Sequence, residues 1–149
     1  MKEKVNKESR DMEREINISN RDQLLNFFDN HSEIETVYIF GSHGTEYENE
    51  RSDIDFGILF AEDPGILNKM NLEAEIEEII SRDVDIVSLN KCNILLKHKV
   101  ISQGQKIYEQ DEIKTADFIE DVLKHYFDFG MKLKRFREDF KEGLREENQ

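Results

Sequence analysis

Two carboxylates, Asp53 and Asp55, stand two residues apart where the apolar run Ile54 to Phe60 begins. Alternate residues of a strand point to the same face. If this run is a strand, the two acids project together from it, flanked by Ile54, Phe56 and Ile58. Like charges held that close repel, and a fold tolerates them best with a cation between them. The chain is thereby constrained to a sheet with one acidic end. Val37-Tyr38-Ile39-Phe40 reads as a second buried strand that stops at Gly41, and Val84-Asp85-Ile86-Val87 as a third. On that third strand Asp85 faces away from Val84 and Ile86.

The segments between the strands read as helices and turns. Asn20 is placed as the N-cap of a helix from Arg21 to Asn30, with Leu24, Leu25, Phe27 and Phe28 on its period. Residues 42–52 are polar and form a loop, and Pro64-Gly65 ends the second strand. Ile66 to Arg82 is helical, with Leu67, Met70, Ala74, Ile76, Ile79 and Ile80 recurring on a helical period. Asn93 to Gln103 follows as a helix whose left-handed cap is Gly104. Lys106-Ile107-Tyr108 is an edge strand, and Asp111 to about Arg145 one long amphipathic helix with a possible bend at Gly130. Strands and helices alternate, so the class is α/β (α+β): a small mixed sheet flanked by helices, with a long C-terminal helix. The division expected is a charged N-terminal arm over 1–18, a core over 19–110, and the C-terminal helix over 111–149.

Composition narrows what such a core does. The 149 residues carry 37% charged side chains and a formal net charge of -13. A surface of that sign repels phosphate backbones, which argues against constitutive nucleic-acid binding. It also means that an anionic nucleotide needs metal cations to bind here. Cys92 is the single cysteine, so no internal disulfide framework exists, and a reducing cytoplasm is the expected compartment. It is read as a small half-buried residue. No apolar run reaches the ~18–20 residues of a membrane span, and the residues after Met1 are too polar for a signal peptide.

Phe40-Gly41-Ser42, a gap of ten residues, then Asp53-Ile54-Asp55 is the informative spacing. Lacking Cβ, Gly41 lets its backbone come close to a bound group. Its N–H and the Ser42 hydroxyl can then bind phosphate oxygens. Asp85 supplies a third carboxylate. A lone Asp-x-Asp is usually solvated surface and a lone Gly-Ser is usually a turn, so the conjunction carries the reading. Three carboxylates and a Gly-Ser cradle make a phosphoryl-transfer site. Asp53, Asp55 and Asp85 would hold two Mg²⁺ ions on the triphosphate, and Asp85 would also activate the acceptor hydroxyl. His43 is read as an exposed loop residue, and His98 and His125 as surface or packing residues.

These residues resemble the signature of the polymerase-β-type nucleotidyltransferase superfamily. Val84-Asp85-Ile86-Val87-Ser88-Leu89-Asn90, Ile107-Tyr108-Glu109 and Tyr126-Phe127-Asp128-Phe129 are similar to the minimal nucleotidyltransferases paired with HEPN-domain toxins. The resemblance implies an antitoxin that transfers AMP from ATP to a tyrosine of its cognate HEPN ribonuclease. It carries over Gly41, Ser42, Asp53, Asp55 and Asp85 as the active site. Many relatives have an arginine-rich stretch after Gly-Ser, whereas this chain has His43-Gly44-Thr45-Glu46, with Arg51 as the substitute cation. Two other readings fit less of the sequence: an antitoxin that blocks its target by contact alone, and a small-molecule, aminoglycoside-type nucleotidyltransferase.

In the C-terminal helix, Phe118, Val122, Tyr126, Phe129, Leu133, Phe136 and Phe140 follow three- and four-residue steps. Thirty such residues would span about 45 Å, longer than the core beneath. Its far end is expected to project and pack on a partner or, as a homo-oligomer, on a second copy.

Overall fold

A computed structural model describes residues 20–41 and 53–147. The elements run α1 (Arg21–Asp29), β1 (Ile34–Phe40), β2 (Ile54–Phe60), α2 (Gly65–Ile80), β3 (Val84–Ser88), α3 (Ile94–Gln103), β4 (Gln105–Glu109) and α4 (Glu112–Glu147). The arm over 1–18, Ser42, His43 and Arg51 lie outside the described residues.

The four strands form one mixed sheet in the order β3-β2-β1-β4. β1 pairs antiparallel with both β2 and β4, and β2 pairs parallel with β3. The period of two in β2 decides what each face carries. Ile54, Phe56, Ile58 and Phe60 turn to the side covered by α1 and α2, where they meet Leu24, Phe28, Leu72, Ile76 and Ile80 in the main core. The opposite face carries Tyr38 and Leu59 under Leu89, Val100 and the partly buried Phe118. α3 lies so close on this face that a Cβ on Gly57 would stand 2.8 Å from Val100 Cγ1.

Side chains finish what the strands leave open. β3 is an edge, and its outward N–H groups at Val84 and Ile86 donate to the carboxylates of Glu77 and Glu73 on α2, at 3.0 and 3.2 Å. Asn90 pairs with the backbone of Phe60 in both directions, donating to its carbonyl and accepting from its N–H. The start of α4 is tied to β1 by a buried hydrogen bond of 2.8 Å between the hydroxyls of Thr36 and Thr115. At the C-terminal end of β3, Asp63 accepts from Ser88 Oγ at 2.7 Å and from Gly65 N–H, and pairs with Lys91. The Ser88 bond, chiefly, holds its carboxyl below the usual range.

Several sequence expectations change. Asn20 makes no side-chain cap bond and sits in the left-handed region at φ 60°; its amide donates to the Ile79 carbonyl and so ties α1 to α2. Asn93 is the residue that caps in the expected way, its side chain accepting from Leu96 N–H. Gly104 is extended rather than left-handed. It is glycine because a Cβ would run into the Val100 carbonyl that its own N–H bonds. The buried face of α2 is Leu72, Ile76 and Ile80, while Leu67 and Met70 are exposed. β1 begins three residues earlier than the apolar run, because Glu35 and Thr36 interrupt the hydrophobic signal yet belong to the strand. α4 continues through Gly130 as one helix.

Phe28 is fully buried and Leu67 is 77% exposed on the same domain. Phe28→Ala is expected to lower the unfolding free energy by about 3–5 kcal/mol through lost burial and a residual cavity. Leu67→Ala should change it by less than about 0.5 kcal/mol. Denaturant unfolding of both variants checks this, and comparable losses would contradict the packing described.

Candidate active site

The chemistry-bearing residues gather where β1 ends and where β2 and β3 begin. Gly41 follows the last residue of β1 at φ +89°, a conformation that side chains rarely adopt. Glycine is doubly required, since a Cβ would collide with the Asp55 carboxylate. The backbone at Gly41 thus closes directly over Asp55. Asp55 is in register with Phe40 on β1 and with Asp85 on β3. Neighbouring strands lie about 4.8 Å apart, so Asp55 and Asp85 stand side by side on the α3 face of the sheet. Asp53 precedes the first residue of β2 and is exposed. The ladder passes beside it, for Ile54 N–H donates to the Asp83 carbonyl at 2.9 Å.

The electrostatics follow from this placement. The Asp55 carboxyl is held above the usual carboxylate range, first by burial, then by the charge of Asp85, then by that of Asp53. Lys99 on α3 opposes them and is the one cation acting on Asp55 among the described residues. Both neighbouring acids therefore act on one half-buried carboxylate, and the uncompensated negative charge is what a hard divalent ion neutralises. Among the described residues no three His, Cys, Asp or Glu side chains form a preassembled metal cage. The donor set nevertheless suits Mg²⁺. That ion takes one or two carboxylates, and substrate phosphates and water complete its shell.

Lys99 was not singled out from the sequence. It belongs to no motif, and only the packing of its neighbour Val100 over Gly57 brings it to this face. The other side chains considered earlier have structural surroundings. Cys92 is half-buried, and burial pushes its thiol up. His98 stacks on Tyr126, with ring centroids 3.6 Å apart and planes 5° from parallel. His125 lies 3.5 Å from Asp121 on the preceding turn of α4. No helix among the described residues is long and apolar enough to cross a membrane.

A mixed sheet backed by helices, with an acidic end roofed by a glycine turn, defines a phosphoryl-transfer scaffold. Residues 22–113 match the family described as polymerase beta, nucleotidyltransferase, and the chain belongs to it. The protein adenylyltransferase MntA of Aphanizomenon flos-aquae is 32% identical over 106 residues, covering 60% of this chain and 67% of that relative. Among solved structures, a toxin–antitoxin crystal structure with AMP-PNP superposes with a TM-score of 0.68 at 21% identity, covering 80% of this chain and 97% of that one. A tri-AMPylated Shewanella oneidensis HEPN toxin in complex with its MNT antitoxin matches with a TM-score of 0.63 at 21% identity, covering 80% and 94%. These likenesses establish the fold.

The charge balance around Asp55 is directly measurable. Asp85→Asn removes a like charge and should lower the Asp55 pKa toward the ordinary value, whereas Lys99→Ala should raise it; a carboxyl ¹³C NMR titration reads both. A raised pKa means that the folded state binds the proton more tightly. Asp55 therefore disfavours the folded state increasingly as pH rises from the ordinary carboxylate value through the raised one, and this penalty is relieved as pH falls. An Asp55 resonance indifferent to both substitutions would refute the side-by-side placement.

Proposed function

We propose that this chain is a Mg²⁺-dependent adenylyltransferase antitoxin that transfers AMP from ATP to a tyrosine of a cognate HEPN toxin. The observation that carries the reading is the register that sets Asp55 beside Asp85 beneath the Gly41 turn. The MntA likeness supplies the reaction class, and the AMPylated-toxin complex supplies the class of acceptor.

The roles of Asp53, Asp55, Asp85, Gly41 and Lys99 rest on their positions, and those of Ser42 and Arg51 on the sequence alone. Asp53 and Asp55 are assigned to Mg²⁺ that carries the triphosphate, and Asp85 to a second ion. Bound magnesium supplies charge neutralisation for an anion that this acidic chain would otherwise repel. The N–H at Gly41 and the hydroxyl of Ser42 bind phosphate oxygens, with Arg51 as a cation from the same loop. Lys99 adds positive charge from α3, on the face that carries Asp55. The acceptor tyrosine oxygen attacks the α-phosphorus, and its proton passes to Asp85. A new oxygen–phosphorus bond forms, the bond from the α-phosphorus to the bridging oxygen breaks, and pyrophosphate leaves.

Incubation with a co-expressed toxin and labelled ATP should add AMP to the toxin, read by intact mass spectrometry. Asp53→Asn and Asp55→Asn should each reduce transfer at least about 100-fold, the scale seen when a group stabilising transition-state charge is removed. Lys99→Ala should weaken ATP binding about tenfold, the loss of one partly solvated charge contact, measured by equilibrium binding. An unlabelled toxin would reject the enzymatic reading. If Asp53→Asn then still protected cells, blocking by contact would be the mode of action.

A further inference from the structure

α4 is built on one heptad. Ile119, Tyr126, Leu133 and Phe140 fall on its a positions, and Thr115, Val122, Phe129, Phe136 and Gly143 on its d positions. The seam is covered at its start: Thr115 and Val122 are buried, and Phe118 and Ile119 are half-buried against the body of the protein. Cover ends at Tyr126, which is 37% exposed beneath the stacked His98. Beyond it the same seam continues uncovered. Leu133, Phe136 and Phe140 are 44, 68 and 59% exposed, and every residue from Leu123 to Glu147 is exposed. An uncovered apolar stripe running from Tyr126 to Phe140, with a period of 3.5, is a surface made to receive another helix.

We propose that the occupant is a second copy of this chain, its α4 antiparallel to the first, with the two-fold axis between Lys134 and Arg135. This register is the one in which several independent features agree. The a and d layers become Leu133 against Phe136, Phe129 against Phe140, and Tyr126 against Gly143, so the smallest residue of the seam meets the ring already half-covered by His98. The flanking g positions set Lys132 of each copy against Asp139 of the other, giving two symmetric ion pairs. The e positions set Leu123 against Leu144, both exposed in the single chain, and Gly130 against Arg137, where the glycine leaves room for the guanidinium. The axis lies at the midpoint of the uncovered segment, so each exposed half covers the other along its length. Phe127 and Met131 point to the outer side and stay uncovered.

Charge selects this orientation over the parallel one. Residues 124–141 hold six basic and three acidic side chains in a chain whose net charge is -13. Antiparallel helices keep the two acidic bodies at opposite ends of a segment about 36 Å long. Parallel helices would bring the bodies together and set Lys132 against Arg137 of the other copy. The pairing does not depend on the reaction proposed above.

Sedimentation velocity on the full chain across the micromolar range tests it. The expected result is a reversible dimer, dissociated by Phe136→Asp. Lys132→Asp and Asp139→Lys should each weaken the dimer about fivefold, since each breaks two ion pairs, and the double variant should restore it. A wild-type chain that stays monomeric throughout would overturn the proposal, including one that associates only with a different protein. So would a Lys132→Asp variant that tightens the dimer, because that substitution pairs with Arg137 only in a parallel arrangement. A double variant as weak as the singles would do the same.

Discussion

The apposition of Asp55 and Asp85 across a parallel strand pair is the constraint on which the rest of this structure depends. Parallel pairing in register places two carboxylates shoulder to shoulder, an arrangement that a fold adopts at an energetic penalty. Everything near it responds to that penalty. β1 is followed by a residue without a side chain because the Asp55 carboxylate occupies the space a Cβ would need. Burial and the neighbouring acids lift the Asp55 pKa, and α3 brings Lys99 within electrostatic reach. A site strained in this way is primed for cations and for the phosphates they carry.

The sheet exists to hold that apposition. Its main core binds α1 and α2 to one face through residues at alternate positions of β2, which leaves the odd positions to the other face. Asp55, Gly57 and Leu59 therefore share one surface, and their order along the strand grades it from polar to apolar. Val100 on Gly57 marks the boundary, beyond which α3 and the first turns of α4 exclude water.

Much of this was legible in the sequence because periodicity and spacing report directly on faces. The run Ile54–Phe60 with its paired acids identified the strand, the face and the acidic end, and Gly41 announced the close approach. What could not be read depended on contacts between distant residues. Lys99 lies 44 positions from Asp55 and carries no motif. Asn20 satisfies every composition rule for an N-cap, yet its amide is taken by Ile79 on another helix. Gly104 looked like a left-handed cap, and the true demand on it was the carbonyl of Val100. The division of α2 into buried and exposed apolar residues was hidden because Leu67 and Met70 share the helical period with the buried Ile76 and Ile80 yet are exposed.

The two glutamates that cap β3 have a consequence for how a partner can approach. An incoming peptide that tried to extend the sheet at that margin would find the amide donors of Val84 and Ile86 already occupied by Glu77 and Glu73, and would have to displace two anions to make its own ladder. Recruitment by strand addition is closed on the side nearest the carboxylates. Under the transfer proposed above, a segment presenting a hydroxyl would not enter by pairing at this edge, which favours acceptors on a loop or a chain end over those within a strand.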